Sequence, residues 1–245
     1  MARLKPDYIS VTFGAGGKNA GTSLTAEVAT TIKAKHKIEP LVHLTASGVE
    51  DVSIEEFVAS CKKNKIENIL ALRGDDKTSE KYKYAKDLIK DLKAVKNFNL
   101  SIAAAAYPEG HITSQDLNLD IEHLKQKQDA GADFFITQLF FDNEIFYRFL
   151  EKAKAKQITI PISAGIMPIM SKSQIERMIY MCGASLPSSI IKLVNKYGES
   201  GEDLIRAGVE YATKQMQDLI KNGVDGIHIY TMNKPFIAEY CMKRI

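Results

Sequence analysis

An aromatic, a proline, an acid and a histidine follow directly on a run of small apolar residues in Ala103-Ala104-Ala105-Ala106-Tyr107-Pro108-Glu109-Gly110-His111. Tyr107 and His111, separated by a Pro-Glu-Gly turn, can both fold over a bound ring, although a Tyr-Pro pair is often only a rigid turn and a lone histidine is usually solvated. Two further segments share this design. Asn68-Ile69-Leu70-Ala71-Leu72-Arg73-Gly74-Asp75-Asp76 ends on a cation and two carboxylates, and Phe134-Phe135-Ile136-Thr137-Gln138-Leu139-Phe140-Phe141-Asp142 carries an amide at its apolar end. Asp75 and Asp76 either act on a ligand or cap a helix that starts near Ser79. Gln138 offers donors and an acceptor to a ligand edge, or serves a neighbouring backbone group. Asp120, His123 and Lys127 recur at helical spacing and share one helix face, for which solvation is the usual fate.

The elements that must position these groups alternate strand and helix. Near-continuous apolar runs read as strands buried on both faces, as in parallel sheets flanked by helices. They fall at Tyr8 to Thr12, Leu41 to Thr45, Ile69 to Leu72, Ser101 to Ala106, Phe134 to Leu139, Ile160 to Ala164 and Gly226 to Tyr230. Helical periodicity covers Ser53 to Asn64, Tyr82 to Val95, Gln115 to Ala130, Ile145 to Lys156 and Glu202 to Asn222. The long segment before the last strand holds extra helices, with a break at Cys182-Gly183-Ala184-Ser185-Leu186-Pro187. No Gly-x-Gly-x-x-Gly follows a strand, and polar residues crowd many strand ends rather than one switch point. The expectation is therefore an α/β fold, a (β/α)8 TIM-type barrel forming a single domain over 1–245, with its N-terminal βα unit missing from this chain.

Composition narrows the function classes. The 245 residues are 45% hydrophobic and 26% charged, enough for one sizeable core. No segment approaches the length of a membrane helix and the start lacks a signal-peptide core, so a soluble cytoplasmic protein without a membrane partner is expected. Cys61, Cys182 and Cys241 form no metal-spaced pair, and no metal is expected. A net charge of +3 argues against a nucleic-acid partner. No strand end offers the lysine that a Schiff-base aldolase barrel would use.

Taken together, the motifs resemble the methylenetetrahydrofolate reductase family. The likeness rests on Val11-Thr12-Phe13-Gly14-Ala15-Gly16-Gly17, His43-Leu44-Thr45, Leu72-Arg73-Gly74-Asp75, Ala106-Tyr107-Pro108-Glu109-Gly110-His111, Asp129-Ala130-Gly131-Ala132, Thr137-Gln138-Leu139-Phe140-Phe141-Asp142, Gly165-Ile166-Met167-Pro168-Ile169 and His228-Ile229-Tyr230-Thr231-Met232-Asn233. Each is weak alone, and their order and spacing are specific together. The resemblance implies hydride transfer from NADH or NADPH through FAD to methylenetetrahydrofolate. It surrounds the flavin with Thr12, His43, Arg73, Gly74, Asp75, Ala105, Tyr107 and His111, sets Asp120 on the FAD ribose and Lys127 on its pyrophosphate, and gives Asp75 the catalytic role. His123 and Gln126 stand where relatives often have asparagine and arginine.

For the substrate, the resemblance implies Gln138 at the pterin and Tyr230 with Lys234 on the aminobenzoyl-glutamate tail, Lys234 replacing the usual arginine. It further implies folate and nicotinamide as small-molecule partners and a homo-oligomer. Family members start with a strand carrying a Phe-Glu-Phe-Phe type motif whose glutamate is the proton donor. No counterpart is present here, which leaves an accessory flavin-binding subunit as the alternative to an enzyme and points to a natural start upstream of Met1.

Overall fold

The structure is a computed structural model that describes residues 1–12, 21–46, 53–74, 81–114, 116–198 and 201–245. Seven strands, β1 (Tyr8–Val11), β2 (Glu39–Thr45), β3 (Asn68–Leu72), β4 (Ser101–Ala106), β5 (Phe134–Thr137), β6 (Ile162–Ile166) and β7 (Gly226–Ile229), occur in the sheet in chain order. Parallel registers set Ser10 beside Leu41, His43 beside Leu70, Leu70 beside Ala103, and Gly165 beside His228. Between the strands lie α1 (Gly21–His36), α2 (Ile54–Asn64), α3 (Ala85–Ala94), α4 (Leu117–Asp129), α5 (Asn143–Ala155), α6 (Lys172–Cys182), α7 (Ser188–Tyr197) and α8 (Gly201–Lys221), with α9 (Pro235–Met242) after the last strand. This is the α/β, TIM-type succession implied by the apolar runs.

Local chemistry explains the boundaries. Ser53 and Glu56 close a reciprocal capping box at the start of α2, satisfying two backbone N–H groups that the helix itself cannot. Strand β6 begins at Ile162 rather than Ile160 because Pro161 has no N–H to give, and the Ile162 amide donates instead to Asp225 Oδ2 at 2.9 Å. The expected break between the extra helices is real. Gly183 ends α6 at φ +67°, and Pro187 precedes α7.

The chain divides into two compact units, one of Ala2–Ala105 with Gln126–Phe134, the other of Met1, Ala106–Lys125 and Phe135–Ile245. In the first, Leu41, Ile69, Leu88, Ile89, Leu92 and Ile102 are almost wholly buried. In the second, five phenylalanines, Phe135, Phe140, Phe141, Phe146 and Phe149, are buried, and the rings of Phe140 and Phe146 stack at 5.1 Å. Burying one such side chain contributes about 1.5–3 kcal/mol, which makes these clusters the main support for the strand ends. Among the described residues no helix is long and apolar enough to cross a membrane.

Candidate functional site

In the first unit the expected residues stand at or just beyond the carboxyl ends of β1 to β4. Thr12 follows β1, and its carbonyl accepts from Thr25 Oγ1 at 3.2 Å. His43 lies on β2 with its Nε2 shielded from solvent and without a hydrogen-bond partner among the described residues. Burial lowers its pKa from the usual 6.5 to about 4, so the ring is neutral at pH 7. An unsatisfied buried polar atom costs about 1–3 kcal/mol, a cost that a ligand group would remove. Beyond β3, Arg73 donates from Nε to the Gly74 carbonyl at 3.4 Å, and Gly74 takes φ +88°, which favours glycine. Asp75, the expected catalytic carboxylate, lies outside the described residues, as do Asp76 and Ser79. Lys127 of α4 donates to the Ala105 carbonyl at 2.8 Å, which carries a cation to the end of β4.

The second unit begins where β4 ends. The rings of Tyr107 and His111 meet edge to face at 4.8 Å, so the turn between them does bring the two together. Gly110 allows this at φ +89°, its amide donating to the Tyr107 carbonyl. Thr113 N–H donates to His111 Nδ1 at 3.2 Å, which makes Nδ1 an acceptor and puts the proton of the neutral ring on Nε2. Asp120 is nearly buried and accepts the His111 amide at 2.9 Å, while its other oxygen stands 3.9 Å from His123. It therefore anchors the aromatic turn. The shared helix face was legible in the spacing, whereas the bond from Asp120 back to the turn was not.

Gln138 Oε1 accepts the next residue's amide, Leu139 N–H, at 2.9 Å, so what Gln138 can present to a ligand is its N–H pair. Tyr230 donates to the Thr137 carbonyl at 2.8 Å and meets the His228 ring at 4.9 Å. Lys234 is exposed at the start of α9, its amide bonded to the Thr231 carbonyl. Thr137, quoted in the sequence only as part of a motif and given no role of its own, is central here. Its hydroxyl accepts the Gly165 amide at 2.8 Å while its carbonyl holds Tyr230, two bonds that fix β5, β6 and β7 to one another at their carboxyl ends. A hydroxyl residue closing the apolar run Phe134-Phe135-Ile136 was the available signal.

A flavin nucleotide asks for hydrogen-bond partners at its ring, a flat surface, and positive charge at its phosphates. Taken by itself, the first unit carries side chains of these types in the His43 imidazole, whose Nε2 has no partner among the described residues, and the Lys127 ammonium, which fit the polar and phosphate parts of such a group. Taken by itself, the second carries the Tyr107 and His111 rings, which fit its flat part.

A profile of the methylenetetrahydrofolate reductase family matches residues 1–245. Methylenetetrahydrofolate reductase 1 of Schizosaccharomyces pombe is 32% identical over 98% of this chain, which spans only 41% of that relative. The 5,10-methylenetetrahydrofolate reductase of Buchnera aphidicola is 35% identical over 96% of this chain and 80% of its own length. Among solved structures, a Clostridium thermocellum protein described as binding two copies of 5-methyl-5,6,7,8-tetrahydrofolic acid superposes with a TM-score of 0.61 at 16% identity, covering 96% of this chain and 92% of that one.

Proposed function

Because the chain belongs to the methylenetetrahydrofolate reductase family, we propose that it reduces 5,10-methylenetetrahydrofolate to 5-methyltetrahydrofolate, with FAD bound and NADH or NADPH supplying the hydride. The observation that carries this reading is a family match over the whole chain, with Tyr107, Gln138 and Tyr230 just beyond the ends of β4, β5 and β7. The folate ligand of the Clostridium thermocellum neighbour supports the substrate class. Held by the chain, FAD would supply the capacity to relay a hydride from reduced nicotinamide to the folate.

The chain's own residues have the remaining tasks. His43, neutral at working pH, would bond the flavin through its unpartnered nitrogen, and Lys127 would offset phosphate charge. The edge-to-face contact of Tyr107 and His111 limits ring motion and so favours one ligand pose. Gln138 would donate its N–H groups to the pterin, and Tyr230, fixed by Thr137, would offer its ring to the aminobenzoyl group. Lys234 can pair with the glutamate tail as a point charge, without the two-pronged geometry of an arginine.

Two measurements test the reading. Titration of purified protein with FAD should give a yellow complex with one flavin per chain, and protein that stays colourless would sink the proposal. Asp75→Asn should slow methylenetetrahydrofolate reduction about 10²-fold or more, yet slow nicotinamide oxidation by an artificial electron acceptor less than about tenfold, because the carboxylate is assigned to the folate step. Equal slowing of both reactions would reduce Asp75 to a flavin or structural role.

A further inference from the structure

Glu109 has no part in the reading above, and its surroundings are unusual. It sits inside the Tyr107–His111 turn, half-buried, and its Oε2 accepts the backbone N–H of Ser185 at 3.0 Å, across 76 residues of chain. Its Oε1 is shielded from solvent and has no hydrogen-bond partner among the described residues. Ser185 belongs to the connection between α6 and α7, and that connection is itself anchored. Ala184 is buried in an apolar cluster with Leu139, Phe141, Met167 and Ile169, residues that follow β5 and β6, and Leu186 packs against the same cluster. The two segments also run close together, since a Cβ built on Gly183 would stand 3.7 Å from Ile112 Cγ1. Thus the turn bearing the aromatic pair is tied to an apolar cluster through one carboxylate–amide bond.

We propose that Glu109 is a positioning residue, a latch that holds the Tyr107–His111 turn against the 183–187 connection so that the two rings keep their mutual geometry for the ligand. What the latch requires of residue 109 is an oxygen that accepts the Ser185 N–H, which a carboxylate or an amide of the same length can supply. Leaving the second oxygen buried and unpaired is unfavourable. The latch geometry, rather than solvation, therefore accounts for where this side chain lies. The position of Asp120 reinforces the argument, because its bond to the His111 amide fixes the far end of the same turn.

The proposal rests on the flavin reading for its ligand only. Its test compares Glu109→Ala, which removes the acceptor, with Glu109→Gln, whose amide oxygen can accept the same N–H. Hydrogen exchange over residues 183–187 and 107–114 should rise about tenfold or more in Glu109→Ala and stay within about twofold of wild type in Glu109→Gln. FAD affinity, followed by flavin fluorescence, should fall about tenfold in the alanine variant and be restored by glutamine. Should Glu109→Ala fail to fold, Glu109→Asn supplies the same amide one methylene short of Ser185, with the same loss expected. The proposal is overturned if glutamine is as damaging as alanine, since charge rather than the latch would then matter. It is equally overturned if exchange rises uniformly along the chain, or if removing the acceptor changes nothing. If wild-type protein takes up no FAD, the flavin reading fails, while the exchange measurement still decides the latch.

Discussion

Gly165→Ala is expected to cost about 3 kcal/mol of folding stability or more, because the new methyl group has no space to enter. A Cβ at this position would stand 2.2 Å from the Thr137 carbonyl oxygen and 2.8 Å from Tyr230 Cε2. The first of these is backbone in a neighbouring strand and cannot swing aside. Accommodation would require β5 and β6 to part, which would strain the Gly165 N–H bond to Thr137 Oγ1 and displace the carbonyl that accepts from Tyr230. For a chain of this size a loss of that order lowers Tm by roughly 6–12 °C. Gly201→Ala is the control, since nothing among the described residues lies within 4 Å of its Cβ position, and it should stay within about 0.5 kcal/mol of wild type. Urea unfolding of both variants decides the matter. A Gly165→Ala protein as stable as the control would mean that the strands are not packed as described. If the variant retains enough structure to assay, its folate KM should rise more than its rate of nicotinamide oxidation falls, because Tyr230 is assigned to the folate tail.

The same residues show what a reader of the sequence could and could not know. The inner strands β3 to β6 were legible because their apolar runs are nearly continuous and mostly buried, whereas β1 and β7, half-buried and interrupted by Ser10 and His228, were legible from their alternation with helices. The pairing of Tyr107 with His111 was legible because it is local, fixed by a turn of known chemistry. Bonds such as Tyr230 to Thr137 and Ser185 to Glu109 were not, since they join residues 93 and 76 positions apart and depend on strand register and on where a loop crosses the sheet's end. Asp120 shows the limit from another side. Helical spacing correctly set it beside His123, but only the fold directs one of its oxygens to the His111 amide. Spacing reports a face, and tertiary structure decides what the face meets.

His43 yields the last prediction, in which stability and ligand binding respond to pH in different windows. Its pKa is about 4 in the folded chain, lowered by burial from the 6.5 of an exposed imidazole. Between these values the unfolded chain holds a proton that the folded chain does not, so acidification favours unfolding. The contribution of His43 is fully present above about pH 6.5, declines as the pH falls toward 4, and changes no further below that. Each pKa unit corresponds to about 1.4 kcal/mol, which makes the loss about 2–3 kcal/mol across the window. Other groups titrate there as well, so the informative quantity is the difference between wild type and His43→Leu. The leucine variant should lose about 2–3 kcal/mol less than wild type between pH 7 and pH 4 in urea unfolding, and parallel curves would show that His43 is not buried as a neutral base. FAD affinity should behave otherwise, because binding involves only the folded chain, in which His43 stays neutral until the pH nears 4. Affinity should therefore hold from pH 8 to about pH 5 and change only as the buried ring takes up its proton, and a change centred near pH 6.5 would mean that the binding histidine is exposed.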